Sequence, residues 1–138
     1  MYTPKRTAHY FNLARNASQF SDSPQHNLGC VLVYKNKVIS VGWNSNKTSP
    51  VQREYNHLRG FDATRFNSPT HAEMSAIIKA KDMSVDWSKV SIFIYREHKD
   101  GCTGLAKPCA ACAQKIRDMG IKEIYYTGEG SHIYERID

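Results

Sequence analysis

Residues 71–95 read HAEMSAIIKAKDMSVDWSKVSIFIY, and this stretch decides the fold. Met74, Ile77 and Ile78 recur on one face, so the spacing predicts a helix over residues 71–83. Val90 to Tyr95 is then a short run of β-branched and aromatic residues, the composition of a buried strand. Toward the C-terminus, Pro108 introduces a second helix that runs to Met119 and stops at Gly120, a residue suited to the left-handed position after a helix. Ile121 to Tyr126 reads as a strand, and Gly128-Glu129-Gly130 is a tight-turn sequence able to fold His132 to Ile137 back antiparallel onto it. Toward the N-terminus, Leu28 to Tyr34 and Val38 to Trp43 flank the polar turn Lys35-Asn36-Lys37, a hairpin expected at the centre of the sheet. Thr3-Pro4 opens an amphipathic helix through Tyr10, Leu13, Ala14, Ala17 and Phe20. Strand, helix, strand, helix, strand is the grammar of α/β architecture, in which crossovers lay helices against a mixed sheet.

A chain of 138 residues is of single-domain size and buries roughly 70% of its unfolded surface. No linker or repeat divides it, so one domain over residues 1–138 is expected. The 41% hydrophobic and 23% charged content excludes a disordered chain. No apolar run reaches the length of a membrane span, and Lys5, Arg6 and Arg15 stand where a secretory leader would be apolar, so a cytoplasmic protein without a membrane partner is expected. Four cysteines then read as reduced thiols or metal ligands. The formal charge of +6 suits a substrate phosphate, a nucleic acid, or an ordinary solvated surface.

The chemistry concentrates in two short motifs. His71-Ala72-Glu73 opens one predicted helix and Pro108-Cys109-Ala110-Ala111-Cys112 opens the other. Cysteines at i and i+3 on a first helical turn project the same way, and the free N–H groups there favour thiolates. Two thiolates and one imidazole balance Zn²⁺ and leave its fourth tetrahedral position open, as in catalytic sites. A water there would have its pKa lowered from about 15.7 toward about 7. Glu73, two residues from a ligand, is placed to move protons. Each fragment has an ordinary reading: Thr70-x-x-Glu73 is also a capping box, and the cysteine pair alone would suit a redox site or half a zinc knuckle. No second C-x-x-C completes a knuckle, and the two motifs together favour catalysis.

H-x-E followed by P-C-x-x-C is the signature of zinc nucleobase deaminases. The chain resembles the cytidine and deoxycytidylate deaminase superfamily over its opening helix, the hairpin Gly29-Cys30-Val31-Leu32-Val33 to Gly42-Trp43-Asn44, the two motifs, and the stretch onward to Tyr126. Its compact length is similar to phage and bacterial deoxycytidylate-deaminase-like proteins. The resemblance implies a three-layer fold, with a mixed sheet of about five strands and helices on both faces. It implies zinc held by His71, Cys109 and Cys112, Glu73 as proton shuttle, and substrate contacts from Asn44 to the sugar and from Ala72. Trp43 and Tyr126 end predicted strands, where a base would stack or a core would pack. The implied reaction is hydrolytic deamination of a cytosine-type base to uracil in a free nucleotide or nucleoside, deoxycytidylate favoured; the alternative is cytosine or adenine within single-stranded DNA or RNA. Relatives commonly form homo-oligomers.

The polar segment from Ser45 to Thr70 is long for a compact domain and is the candidate substrate loop, with Lys47, Arg53, Arg59 and Arg65 as candidate phosphate ligands. Residues 96–107 form a second polar insertion carrying His98, Lys99 and Lys107. Cys30 reads as a core thiol and Cys102 as a spectator, while His26, just before the first strand, either borders the site or, as favoured, is a capped or solvated loop residue.

Overall fold

Proline at the first turn of a helix sacrifices no hydrogen bond, and a threonine before it caps a free N–H. Helix α1 (Pro4–Ser18) begins in this way, with the Arg6 N–H donating to Thr3 Oγ1 at 3.2 Å. The computed structural model describes residues 2–23, 26–59 and 69–137. Strands β1 (Asn27–Tyr34) and β2 (Lys37–Trp43) form the expected hairpin. Its turn is two residues, Lys35 and Asn36, both at positive φ (51° and 64°), the geometry whose twist matches the flanking strands. The Tyr10 hydroxyl clips the turn by donating to the Asn36 carbonyl at 3.0 Å.

Helix α3 (Ala72–Ala80) and strand β5 (Val90–Glu97) follow, then helix α4 (Ala110–Met119), strand β6 (Glu123–Thr127) and strand β7 (His132–Arg136). One sheet runs in the order β2-β1-β5-β6-β7, with β5 and β6 parallel and the other pairs antiparallel. The mixed five-stranded sheet is therefore as expected, and the turn after β6 does fold β7 back onto it. The hairpin is not central, however. β2 is an edge, and β5 holds the middle because its first six residues are all buried, as a strand covered on both faces requires.

Alternation along β1 and β5 divides the core into two layers. Val31, Val33, Phe93 and Tyr95 face α1 and pack on Tyr10, Phe11 and Ala14. Phe93 stacks on Tyr125 with ring centroids 4.4 Å apart and takes the edge of Phe11 at 5.4 Å. Cys30, Leu32, Ile92 and Ile94 face the other way, against Ala76, Ile77 and Ala80 of α3 and Ile116 of α4. Each fully buried Leu, Ile or Phe contributes about 1.5–3 kcal/mol. The two glycines of the hairpin set how close the helices come. A Cβ on Gly29 would lie 1.9 Å from the Ala14 carbonyl oxygen of α1, and one on Gly42 would lie 2.5 Å from the Ala72 carbonyl oxygen and Ala76 nitrogen of α3.

The segment read as a substrate loop is partly built. Strand β3 (Ser45–Thr48) pairs with strand β4 (Pro69–Thr70), while helix α2 (Pro50–Tyr55) and a 3₁₀ turn (Asn56–Arg59) lie between them. Residues 60–68, with Arg65, lie outside the described residues. α4 ends at Gly120 with φ 94°, the left-handed stop expected there. Among the described residues no helix is long and apolar enough to cross a membrane.

Candidate active site

Two helix N-termini converge on three side chains. His71 is the N-cap of α3 and Cys109 the N-cap of α4, both extended in backbone, and neither helix has a side-chain cap. Their first-turn N–H groups and dipoles therefore favour negative charge at this point. Thr70 is not the cap that a capping box would require: its hydroxyl donates to the Lys47 carbonyl at 2.7 Å. His71 is fixed instead by Gln52 of α2, whose Oε1 accepts from the His71 N–H at 3.0 Å and whose Nε2 donates to Asn56 Oδ1 at 2.8 Å.

His71 Nδ1 lies 3.5 Å from Cys109 Sγ and 3.4 Å from Cys112 Sγ, and the three atoms fall within 4.8 Å of one another. Tetrahedral zinc, with bonds of about 2.3 Å to sulfur and 2.0–2.1 Å to nitrogen, separates such ligands by about 3.5–3.6 Å. The spacing fits zinc. So does the protonation chemistry. The hydrogen bond from Cys112 pulls Cys109 down to about 3 against its burial, with His71 adding to the effect. Cys112 is pushed well above the usual thiol range by its bond to Cys109 and by burial. One thiolate is in place and the second forms when a cation displaces the proton. For His71, burial lowers the pKa, but the Cys109 hydrogen bond and the Glu73 carboxylate outweigh it and leave it raised.

Glu73 follows in the first turn of α3, 3% exposed, and its Oε1 has no hydrogen-bond partner among the described residues. Burial raises its pKa, partly offset by the His71 charge. A buried carboxylate oxygen left unpartnered costs about 1–3 kcal/mol or more.

These groups line a cavity of about 470 Å³. Ala72, Asn44 and Glu73 line it together with His71 and Cys109. The Asn44 side chain is 9% exposed and spans two backbone groups, accepting from the Leu28 N–H at 3.0 Å and donating to the His26 carbonyl at 3.2 Å. Trp43 and Tyr126, for which the sequence leaves base stacking and core packing both open, are not among the described residues that line the cavity. Trp43 lies opposite Gly29 in the β1–β2 register, on the α1 face, where it meets Phe20 at 5.1 Å and Lys79 Nζ at 4.0 Å. The alternation that points Asn44 into the site points Trp43 away. Tyr126 is packed in the core, its hydroxyl donating to Glu135 at 2.7 Å. Of the candidate phosphate ligands, Arg59 lines the cavity, with Nη1 3.2 Å from His71 Nε2, while Lys47 and Arg53 are exposed outside it. His26, for which the sequence favours a solvated loop over a place bordering the site, lines the cavity as well, and so do Arg96, which belongs to β5 and not to a loop, and Lys107 from the second insertion.

A family model described as the cytidine and deoxycytidylate deaminase zinc-binding region matches residues 4–128. The chain belongs to that family. Its zinc-binding character and the His71, Cys109 and Cys112 group agree. Similar curated proteins of the deaminase family include the deoxycytidylate deaminase of Schizosaccharomyces pombe, 26% identical over 91% of this chain and 38% of that protein. That of Homo sapiens is 23% identical over 90% of this chain and 65% of that protein. The chain thus spans about two fifths of the first relative's length and just under two thirds of the second's. The fold matches a cyanophage S-TIM5 dCMP deaminase solved in complex with dCMP and dUMP, at TM-score 0.64 and 23% identity over 91% of this chain and 83% of that one. It also matches a cytidine deaminase of Burkholderia pseudomallei, at TM-score 0.66 and 20% identity over 94% of this chain and 91% of that one.

Proposed function

We propose that this chain is a single catalytic domain that hydrolytically deaminates a cytosine-type base to uracil in a free nucleotide, deoxycytidylate being the favoured substrate. The observation that carries the reading is the buried Glu73 carboxylate on the cavity wall, its Oε1 without a partner among the described residues, beside the His71, Cys109 and Cys112 group. Family membership and the resemblance to deoxycytidylate deaminases support the choice of base and nucleotide.

His71 Nδ1 and the two thiolates hold zinc in this reading, and zinc when bound supplies the Lewis-acid activation that makes water a nucleophile near neutral pH. Glu73 does the proton work. Its carboxylate takes the two protons of the water that adds to C4 of the base one after the other, delivering the first to the adjacent ring nitrogen and the second, from the C4 hydroxyl, to the amino group. The C4–N bond then breaks, ammonia leaves and the C4 carbonyl of uracil remains. Burial serves this role, because a carboxylate whose pKa is raised accepts and returns a proton with less bias than a solvated one. Asn44, held rigid by its two backbone bonds, contacts the sugar, and Ala72 closes the wall between ligand and shuttle.

A zinc-loaded preparation challenged with deoxycytidylate, deoxycytidine, cytidylate, adenosine and single-stranded oligonucleotides tests the proposal. We expect uracil product from deoxycytidylate first and little or none from oligonucleotides. Product from oligonucleotides with deoxycytidylate untouched would replace the free nucleotide by a strand.

A further inference from the structure

The cavity wall carries a row of side chains that no local motif announces. In the β1–β2 register Trp43 lies opposite Gly29, so Asn44 lies opposite Leu28, and in the β1–β5 register Leu28 lies opposite Arg96. Residues opposite one another on neighbouring strands share a face. Asn44, Leu28 and Arg96 thus form a line across three strands, on the face covered by α3 and α4, and all three line the cavity. Two strand spacings place the Arg96 backbone about 10 Å from that of Asn44.

The Arg96 guanidinium is only partly used. Nη1 donates to the Leu105 carbonyl at 3.4 Å, which ties it to the second insertion, and Nε is buried with no acceptor among the described residues. Glu73 is the sole carboxylate among the described residues of the cavity wall, and it stands with the metal-ligand group, so no counter-charge there answers Arg96. Two other cations line the same wall with different commitments. Arg59 lies against the His71 ring, and Lys107 is 3.6 Å from Glu135 with its side chain 60% exposed. Burial first, then the charge of Arg96, holds the pKa of His26 on the same wall below the ordinary range, which keeps its imidazole neutral and leaves the positive charge there to the two arginines and Lys107. A planar guanidinium on the wall of a cavity of this sign is matched to an anion presenting two or more oxygens.

Resting on the proposal that the cavity takes a free nucleotide, we infer that Arg96 is the group that recognises the substrate's 5′-phosphate and so sets preference for nucleotide over nucleoside. With the base at Glu73 and the sugar at Asn44, the line of side chains continues to Arg96, where the phosphate lies. Arg96 is a specificity residue: it touches the phosphate and not the reacting carbon.

The test is the ratio of kcat/KM for deoxycytidylate to that for deoxycytidine. In Arg96→Gln the ratio falls about tenfold or more, the scale of one charge-assisted hydrogen-bonding group. Arg96→Lys retains part of the preference, and Arg53→Gln, on the exposed face of α2, leaves the ratio as it was. An unchanged ratio in Arg96→Gln overturns the inference whatever happens to overall activity, because a merely structural Arg96 affects both substrates alike. If Arg96→Gln fails to fold, Arg96→Lys alone decides, by a reduced or an unchanged ratio. If the wild-type protein converts neither substrate, the deamination reading has failed, and calorimetric binding of deoxyuridylate against deoxyuridine still decides. A wild-type preference for the phosphate that Arg96→Gln or Arg96→Lys reduces supports the inference, and its absence or persistence sinks it.

Discussion

Cys109 and Cys112 hold one proton between them, with Cys109 pulled down to about 3 chiefly by its bond from Cys112. Replacing either removes a ligand and the charge balance of the zinc site, so Cys109→Ser and Cys112→Ser should each lose stoichiometric zinc, measured by metal analysis against about one zinc per chain for the parent. Gln52 is a subtler case. It is fully buried and holds the His71 N–H, so Gln52→Leu keeps the volume but frees the backbone that aims the imidazole. Outer-shell changes of this kind typically cost 10- to 100-fold in metal affinity or activity. Competition with a chelator should show weakened zinc retention in Gln52→Leu while circular dichroism stays native. The ligands themselves are legible in the sequence because C-x-x-C and H-x-E are local patterns on single helical turns. Gln52 is not legible, because it lies 19 residues from His71 and meets it only once α2 packs beside α3.

At the scale of elements, the site exists because α3 lies almost against β2. Gly42→Ala places a Cβ 2.5 Å from backbone atoms of Ala72 and Ala76, which no side-chain rotation relieves. Gly29→Ala does the same to α1 on the opposite face. Both should destabilise by on the order of 1–3 kcal/mol, seen as a lowered melting temperature. They should differ in function. Gly42→Ala displaces the helix that carries His71 and Glu73 and loses activity per folded molecule, whereas Gly29→Ala loses stability with a far smaller effect on turnover. Equal catalytic losses would mean that the α3–β2 approach does not position the site. Period-two and helical patterns predict these elements well. They misplace the hairpin in the sheet, since pairing order is set by which strand buries both faces, and here that is β5 with its run from Val90 to Tyr95.

Over the whole molecule, the +6 charge and the cations of the cavity wall draw anions to one mouth. A mononucleotide presents a single phosphate, so KM for deoxycytidylate should rise only modestly between low and moderate salt. A strand-binding groove would instead show a log–log slope of about −0.7 per phosphate contacted. Steady-state kinetics across a salt series separates the two. His26, Arg96 and Lys107 escape a reading of the chain as a string because they come from three places joined by β1–β5 pairing and by the bond from the Ala106 N–H to the Thr127 carbonyl. The central claim is that Glu73 Oε1 is buried without a partner among the described residues because the carboxylate carries protons. It is tested most directly by Glu73→Gln, assayed for turnover of deoxycytidylate and for zinc on the same preparation. The account predicts a folded protein with about one zinc per chain, a melting temperature no lower than that of the parent, and turnover reduced by about 10²–10⁴ or more. A variant that keeps parental turnover while losing stability would contradict it and return Glu73 to a structural role at the start of α3.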